Sequence, residues 1–355
     1  MPNCCTDCFS DEYLKELIRE DGAIGNCDFC GSKNVYIIAP EELKTFLDPL
    51  IGLYSAQVEF FPMDLLKECE GRFIWEILSE DWGVFDDSQI GKQIIEEMYG
   101  GYYEDGPSFL DHYMEREDEW YGHDEEMSDR LKKQWKEFCE EIVYRNRFFP
   151  QTKLDTELLS EVLSYSENLI TANTFLFRAR LSSDEKILSG EKMGMPPKQI
   201  TVEGRANPKC ISYLYLASDS NTAISEIRPQ VHNKVTVGKF KVNSEIKVID
   251  LRNPCIETPF KWGDKLAFVC DIFNFLRMLG SLLSKPVDKD NVAIDYLPTQ
   301  YLCEFIKNQG YEGVLYKSFL GQGNNIVLFS EENVKCIGTK LHKITSVKVD
   351  SEEVV

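Results

Sequence analysis

The stretch Ile211-Ser-Tyr-Leu-Tyr-Leu-Ala-Ser-Asp-Ser-Asn-Thr-Ala-Ile-Ser-Glu226 decides the fold of the second half of the chain. Aromatic and aliphatic side chains alternate over Tyr213–Ala217, and such alternation predicts a β-strand. Asp219-Ser220 is a typical helix start, because a short polar side chain there accepts hydrogen bonds from backbone N–H groups that the helix leaves free. The stretch therefore predicts a strand and a helix joined by a short turn, with Glu226 two turns into the helix.

The sequence on both sides of this stretch continues to alternate between strands and helices. Further strands are predicted at Thr174–Leu181, Val235–Val242, Lys247–Leu251, Gly313–Ser318 and Asn325–Phe329. Helices are predicted at Leu154–Ile170, Ser220–Arg228, Asp264–Ser284 and Thr299–Gln309. The second half is therefore expected to be an α/β or α+β domain. It lacks the Rossmann, Walker A, His-Glu-x-x-His and zinc-deaminase signatures, which excludes those four kinds of site at the level of motifs.

The first half of the chain is acidic and is predicted to be mostly helical. Apolar residues at three-to-four spacing predict helices at Glu41–Leu50, Phe61–Leu78, Ser88–Tyr99, Ser108–Trp120 and Glu125–Tyr144. Residues 1–170 hold 39 acidic and 15 basic side chains, and residues 171–355 hold 21 and 24, so the net charge of −21 divides into −24 and +3. This asymmetry indicates separate domains. A chain this acidic is not expected to bind nucleic acid independently of its sequence, or an anionic membrane surface.

The termini and the apolar segments predict a cytoplasmic protein. Met1–Ser10 is polar and carries cysteines, unlike a signal peptide. The longest apolar stretch, Leu266–Ser284, is broken by Asp271 and Arg277, so we expect a buried helix and no membrane partner. Seven cysteines are expected to be reduced thiols of the core, namely Cys69, Cys139, Cys210, Cys255, Cys270, Cys303 and Cys336.

A cysteine cluster near the N-terminus predicts a metal site. Two residues separate Cys5 from Cys8 and Cys27 from Cys30, and 18 residues lie between the pairs. This spacing is typical of a tetrahedral zinc site. Four thiolates leave no open coordination position, so we expect a structural zinc ion. Cys4 is an alternative ligand in place of Cys5.

The acidic region also contains a weak match to a ribonuclease signature. Six residues separate Arg116 from His123, which fits the Arg-x4–6-His spacing of HEPN ribonucleases. The carboxylates of Asp111–Asp129 surround the pair and would repel RNA. A salt-bridged arginine and a surface histidine are therefore the favoured interpretation.

Seven short motifs, in their order and spacing, make residues 170–335 resemble the RES domain family, named for an Arg, a Glu and a Ser. They are Phe177–Arg178, Gly204–Pro208, Tyr215–Ala217, Thr222–Glu226, Pro298–Gln300, Gly313–Ser318 and Asn325–Phe329. The first half, with its cysteine pairs and helices, resembles the zinc-bearing, HEPN-like N-terminal domain that is fused to some RES domains. The resemblance implies an α+β fold similar to that of ADP-ribosyltransferases, and an enzyme that acts on NAD.

The resemblance also implies which residues form the site. Arg178, Glu226 and Ser318 are expected to be catalytic, because they correspond to the Arg, Glu and Ser of the family name. Dinucleotide binding is expected of Arg205, Tyr215 and Asn325. Arg180 competes with Arg178 for its role, since residues two apart on a strand share a face. One departure from the family is Ala206, where an aromatic residue is usual, so the local wall of the pocket is expected to differ.

These residue types suit cleavage of the nicotinamide–ribose bond. Positive charge builds on the ribose during cleavage, and the Glu226 carboxylate can stabilise it. Guanidinium groups bind pyrophosphate oxygens through two parallel hydrogen bonds, which suits Arg178 and Arg205. Tyr215 can stack on the nicotinamide ring, and Ser318 can fix the ribose or nicotinamide end.

The sequence therefore predicts a small zinc-binding module, an acidic HEPN-like helical domain, a RES catalytic domain and a tail, at residues 1–40, 41–165, 166–345 and 346–355. The expected function is NAD consumption by a glycohydrolase, phosphorylase or ADP-ribosyltransferase that serves as an intracellular toxin or defence effector. Expected partners are NAD, an antitoxin or regulatory protein, and a second copy of the chain in a homo-oligomer. The alternative is a non-enzymatic, zinc-bearing interaction protein whose RES-like half binds a nucleotide. The ADP-ribose acceptor is left open between water, phosphate and protein.

Overall fold

The computed structural model describes residues 1–57, 71–100, 110–116, 127–182, 186–285 and 292–348. The chain divides into two compact units, the first formed by Met1–Met127 with Ile256–Asp271 and the second by Ser128–Cys255 with Ile272–Val355. The four-part division at residues 40, 165 and 345 stays a prediction.

The first unit begins with the cysteine pairs and continues into helices. Its strands are β1 (Cys4–Cys5), β2 (Ala23–Asn26), β3 (Lys33–Ile38), β4 (Tyr54–Ala56) and β5 (Met114–Arg116). Its helices are α1 (Glu12–Asp21), α2 (Pro40–Ile51), α3 (Ile74–Glu80) and α4 (Ser88–Tyr99). The first three strands form an antiparallel sheet in the order β1-β3-β2, and β4 pairs with β5.

One hydrophobic core joins the cysteine module to the helices of this unit. Leu14 and Ile18 of α1 are buried in it, and Asp11 caps the start of α1, because its side chain accepts a hydrogen bond from the Leu14 N–H. Helix α2 buries Leu43 and Leu47 in the same core, four residues apart as one face of a helix requires. The module and the helices therefore stabilise each other by shared burial.

The predicted helix Ser108–Trp120 is wrong over its described part. Met114–Arg116 is instead strand β5, and residues 117–126 lie outside the described part of the chain. The Tyr113 carbonyl accepts a hydrogen bond from the Gln57 N–H, and the Met114 N–H donates to the Arg72 carbonyl. Backbone pairing with distant residues therefore overrides the local helical spacing. Within the predicted helix Phe61–Leu78, the described helix α3 begins only at Ile74.

The second unit is a mixed sheet with helices. Its helices are α5 (Met127–Tyr144), α6 (Thr156–Ser164), α7 (Gly190–Met193), α8 (Ser220–Glu226), α9 (Leu266–Ser284), α10 (Val292–Asp295) and α11 (Leu297–Asn308), of which α5 and α9 begin in the first unit. Its strands are β6 (Glu167–Ile170), β7 (Phe175–Leu181), β8 (Leu214–Ala217), β9 (Lys234–Val242), β10 (Ile246–Asp250), β11 (Gly313–Lys317), β12 (Asn324–Leu328) and β13 (Val334–Lys343).

These eight strands form one sheet in the order β13-β9-β7-β8-β12-β11-β10-β6. Neighbouring strands are antiparallel except β10 and β11, which are parallel. Such a sheet belongs to the α+β class and confirms that prediction.

Alternate residues of the strands enter two separate cores on opposite faces of the sheet. Leu214 and Leu216 of β8 belong to a core built from large aliphatic side chains. Ala217 of the same strand belongs to the other core, which also contains Ala179 and Ala223. Because alanine fills little volume, this second face leaves room above the sheet for a cavity.

Two predictions about the second unit need correction, and one strand was missed. The predicted helix Leu154–Ile170 ends at Ser164, and Glu167–Ile170 is strand β6, because its backbone pairs with β10. Strand β13 was not predicted, since its alternating polar residues lie on an exposed edge. Cys210 and Cys255 are exposed rather than part of the core.

One helical segment of the described residues, Gly263–Ser284, is long and apolar enough to cross a membrane by length and composition alone. Of its most apolar window, 56% is buried in the structure. The core helix of a folded domain has the same properties.

Removing a core side chain from the centre of the large sheet should destabilise it. Leu328 of β12 is 1% exposed in the aliphatic core, so Leu328→Ala should lower the free energy of unfolding by about 2–5 kcal/mol. Leu169→Ala, on edge strand β6 where the side chain is 50% exposed, should change it far less. Chemical denaturation of both variants measures the difference, and equal losses would contradict this description of the core.

Candidate functional site

A cavity of about 580 Å³ lies where strands β7 and β8 separate. The two strands pair at a single position, Phe177 with Ala217, and residues of both strands beyond this pair line the cavity. The volume is within the range of small-molecule and cofactor sites. The gap in the sheet therefore leaves a cavity of ligand size inside the second unit.

One row of residues crosses the sheet beneath this cavity. Tyr316 of β11 is the register partner of Asn325 of β12, Asn325 is the partner of Ala217 of β8, and Ala217 is the partner of Phe177. Register partners on neighbouring strands point to the same face of a sheet. All four residues line the cavity.

The Glu226 carboxylate is fixed at the cavity by two hydrogen bonds to the same oxygen. Its Oε1 accepts from Ser318 Oγ at 2.6 Å and from Asn325 Nδ2 at 2.7 Å. Oε2 accepts no hydrogen bond from the described residues. Three elements, α8, β12 and the loop after β11, therefore meet at one carboxylate oxygen.

Backbone groups orient Ser318 toward this carboxylate. The Ser318 Oγ accepts hydrogen bonds from the N–H groups of Leu320 and Gly321, at 3.2 and 2.8 Å. With the hydroxyl hydrogen donated to Glu226, both acceptor sites and the one donor of the hydroxyl are in use. Its rotamer is therefore determined by the loop 318–321.

The loop after β11 is held against the start of α8, the turn in the opening stretch of sequence. The Asp219 side chain accepts from the Thr222 N–H and hydroxyl, and Thr222 Oγ1 accepts from the Gly323 N–H at 3.0 Å. A Cβ on Gly323 would lie 2.1 Å from Asp219 Oδ2. Glycine at this position is therefore needed for the close approach.

Two arginines of β7 line the cavity and also fasten the segment around α7. Arg178 Nη1 donates to the carbonyls of Met193 and Gly194, at 3.2 and 2.7 Å, and Arg180 Nη1 donates to the Lys192 carbonyl. Nε and Nη2 of Arg178 make no hydrogen bond with described residues. Burial, together with the nearby Arg180 guanidinium, lowers the pKa of Arg178 to about 10, which leaves it protonated at neutral pH.

Tyr215 anchors the turn Gly204–Pro208 at the wall of the cavity. Its hydroxyl donates to Asn207 Oδ1 at 2.7 Å and accepts from the Ala206 N–H at 3.1 Å. Burial raises the pKa of Tyr215, so its hydroxyl remains a donor at neutral pH. The aromatic ring of Tyr215 lines the cavity, while its hydroxyl is committed to the turn.

The motif Pro298–Gln300 also holds this turn in place through hydrogen bonds. Gln300 Nε2 donates to the carbonyls of Gly204 and Asn207, at 2.9 and 3.1 Å. Thr299 Oγ1 donates to the Arg205 carbonyl at 2.6 Å. Two sequence motifs that lie about ninety residues apart therefore form one structural unit.

Four of the six residues predicted for the RES site line the cavity: Arg178, Tyr215, Glu226 and Asn325. Ser318 joins them through its bond to Glu226. Arg205 does not line the cavity, since its Nη1 donates to the Leu283 carbonyl and its guanidinium lies 6.0 Å from the Tyr296 ring. The catalytic and binding roles of all six stay predictions.

Tyr316 also lines the cavity, and no role was predicted for it from the sequence. The motif Gly313–Ser318 could have predicted that Tyr316 lies at the site. Tyr316 precedes Ser318 by two residues, and residues two apart on a strand share a face. Burial raises the pKa of the Tyr316 phenol well above its ordinary value.

A second cluster, in the first unit, has the geometry of a metal site. The sulfur atoms of Cys5, Cys8, Cys27 and Cys30 all lie within 4.8 Å of one another. The Cys4 thiol instead contacts the Ile38 carbonyl at 3.5 Å. The structure thus brings Cys5, rather than Cys4, together with the other three cysteines.

The two residues of the ribonuclease match cannot be compared in the structure. Arg116 is half-buried on β5, and His123 lies outside the described residues. The pair therefore stays a weak sequence match.

Known protein families account for most of the chain. Residues 176–345 match the RES domain, and residues 20–156 match HEPN/RES N-terminal domain 1. The chain is a RES-domain protein. The family predicted from the seven motifs is thereby confirmed, and so is the HEPN-like character of the first half.

One solved structure is similar to this RES-domain protein. A chain of the crystal structure of the M. tuberculosis MbcT–MbcA toxin–antitoxin complex aligns with 52% of this chain and 92% of its own length, at 15% identity and a TM-score of 0.32. No curated protein sequence matches the chain significantly.

Adding one methyl group beneath the loop that follows β11 should destabilise the RES domain. In Gly323→Ala the new Cβ would clash with Asp219 and with the hydroxyls of Ser218 and Thr222, so the free energy of unfolding should fall by about 1–3 kcal/mol. Gly338→Ala is the control, because a Cβ there meets nothing within 4 Å. Denaturation curves check this, and an unchanged Gly323→Ala would contradict the described loop packing.

Proposed function

We propose that the RES domain cleaves the nicotinamide–ribose bond of NAD, as a glycohydrolase, phosphorylase or ADP-ribosyltransferase. The observation that carries the proposal is the Glu226 carboxylate, which is fixed at a cavity of cofactor size by Ser318 and Asn325. Cleavage builds positive charge on the ribose, and a preoriented carboxylate stabilises that charge without reorganising during the reaction. Oε2 of Glu226 is the oxygen available to the ribose.

The arginines of β7 supply the complementary charge for the pyrophosphate. Arg178 retains Nε and Nη2 as donors, and Arg180 lines the same cavity. A guanidinium that is partly removed from water binds a phosphate oxygen more strongly than an exposed one. In this proposal Arg205 holds the wall of the site, through its bonds to Leu283 and Thr299, rather than the pyrophosphate.

The biological role in this proposal is that of a cytoplasmic toxin or defence effector, controlled by an antitoxin or regulatory protein. The RES domain match supports it. A homo-oligomer remains an expectation from the sequence.

The catalytic proposal is tested by replacing the carboxylate. Glu226→Gln keeps the shape of the side chain but removes the negative charge, so NAD turnover should fall by a factor of about 100 or more. Glu245→Gln is the control, because Glu245 is exposed in the turn between β9 and β10 and does not line the cavity. Release of nicotinamide measures turnover.

Mass spectrometry of the products, with and without phosphate, identifies the acceptor. If the wild-type protein leaves NAD intact with water, phosphate and protein acceptors, the enzymatic proposal fails. Binding of NAD without turnover would then favour the non-enzymatic alternative.

We also propose that Cys5, Cys8, Cys27 and Cys30 bind one structural zinc ion. Neighbouring sulfur atoms are 3.4 to 3.8 Å apart for the pairs Cys5–Cys30, Cys8–Cys27 and Cys5–Cys8. Tetrahedral zinc with Zn–S bonds of about 2.3 Å requires S···S distances of about 3.8 Å, so only small shifts are needed. The N–H groups of Phe29 and Cys30 point at the Cys27 sulfur and would stabilise a thiolate there. The ion would join the two cysteine pairs and so support the core of the first unit.

Two neighbouring cysteines provide a matched test of this metal site. Elemental analysis should find about one zinc per wild-type chain. Cys5→Ser should lose zinc and melt at a lower temperature, whereas Cys4→Ser should retain it, because the Cys4 thiol contacts the Ile38 carbonyl instead of the cluster. If Cys4→Ser lost zinc and Cys5→Ser kept it, Cys4 rather than Cys5 would be the ligand. The absence of zinc from the wild type would refute the site.

A further inference from the structure

The hydroxyl of Tyr316 is a hydrogen-bonding group at the cavity with no hydrogen-bond partner among the described residues. The side chain is 4% exposed and lines the cavity, and its hydroxyl makes no hydrogen bond with any described residue. The hydroxyl of Tyr213 also has no partner in the described ranges, but it is buried in the core and does not line the cavity. The Tyr316 hydroxyl is not sealed in this way, so it is accessible to a molecule bound there.

Asn325 presents an acceptor at the same cavity. Its Nδ2 donates to the Glu226 carboxylate at 2.7 Å, and a carboxylate can only accept, so the orientation of the amide is determined. Oδ1 is therefore the atom left over, and it makes no hydrogen bond with any described residue. Asn325 is 7% exposed and lines the cavity.

The fold places the side chains that carry this donor and this acceptor on neighbouring strands. Tyr316 and Asn325 are register partners on β11 and β12, and the Cβ atoms of such partners are about 5 Å apart. The raised pKa of Tyr316, caused first by its burial, keeps the phenol protonated through neutral pH. The site thus offers one O–H donor and one C=O acceptor on the same face of the sheet.

This pair matches a primary carboxamide, whose carbonyl accepts one hydrogen bond and whose NH₂ group donates another. A carboxylate in the same place would face the Asn325 carbonyl and lie near the Glu226 charge, and both contacts are repulsive. We propose that Tyr316 and Asn325 bind the carboxamide of the nicotinamide ring and make the site selective for the amide over the acid form of the dinucleotide. This inference rests on the proposed function.

The arrangement couples recognition of the leaving group to the catalytic carboxylate. One amide, that of Asn325, would accept from the carboxamide through Oδ1 while it donates to Glu226 through Nδ2. A correctly bound ring would therefore lie beside the carboxylate that stabilises the ribose. Tyr316 is a binding residue in this scheme.

The test uses binding to the full-length protein, without turnover. The probe is a carbocyclic NAD analogue, in which a methylene group replaces the ring oxygen of the nicotinamide ribose, so that an oxocarbenium ion cannot form. Tyr316→Phe should bind this analogue roughly tenfold more weakly than the wild type, the loss expected for one neutral hydrogen bond. Binding of ADP-ribose, which has no carboxamide, should change less than about twofold. Isothermal titration calorimetry measures both.

Two controls separate recognition from structure. Tyr213→Phe removes a hydroxyl that is sealed in the core, so it should leave the affinity for both probes unchanged. Tyr316→Phe should not lower the melting temperature, because the hydroxyl makes no hydrogen bond within the described part of the chain. A lower melting temperature would show that the hydroxyl holds the fold rather than a ligand, and would overturn the inference.

A comparison of two ligands on the wild type needs no variant. The amide form of the dinucleotide should bind at least roughly tenfold more tightly than the nicotinic acid form. Equal affinity of the wild type for the two forms would overturn the carboxamide assignment. So would an equal loss of affinity for the analogue and for ADP-ribose in Tyr316→Phe. In both cases the proposed function stands. If the wild type binds none of these dinucleotides, the proposed function fails and the inference fails with it.

Discussion

A single carboxylate oxygen, Oε1 of Glu226, organises the site of this RES-domain protein. It accepts from Ser318 on the loop after β11 and from Asn325 on β12, while Glu226 itself ends helix α8. Three elements that are distant in sequence are thereby held at one point. A charge-assisted hydrogen bond is about twice as strong as a neutral one, so this point resists displacement. The remaining oxygen and the neighbouring cavity are then available for a ligand.

The supporting structure explains why so few residues suffice for the site. Gly321 and Gly323 allow the loop after β11 to lie against Thr222, where any side chain would clash. Tyr215, Asn207 and Gln300 fasten the turn on the opposite wall. The cavity itself exists because β7 and β8 pair at a single position and because alanines line the sheet nearby. Preorganisation of this kind lets a site stabilise charge without reorganising when the ligand arrives.

The cysteine module in the other unit depends on different interactions for its stability. Its short strands bury little surface of their own, and its thiols share one core with the helices α2, α3 and α4. Small modules of this size are commonly stabilised by a metal ion. Most acidic residues of the first half of the sequence belong to the unit that carries this core, whereas the cavity belongs to the second unit.

The sequence by itself determined the elements whose signals are local. Alternation predicted the strands from β7 to β12, the Asp219 cap predicted the start of α8, and the cysteine spacing predicted four converging thiols, because each of these depends on residues within a few positions. The order of seven motifs determined the family. Tertiary structure alone decided β5, β6 and β13, since their backbone hydrogen bonds are made with strands far away in the chain. It also decided that Arg205 faces Leu283 and that Tyr316 stands beside Asn325, because the register between strands, and not the spacing within one strand, determines which side chains meet.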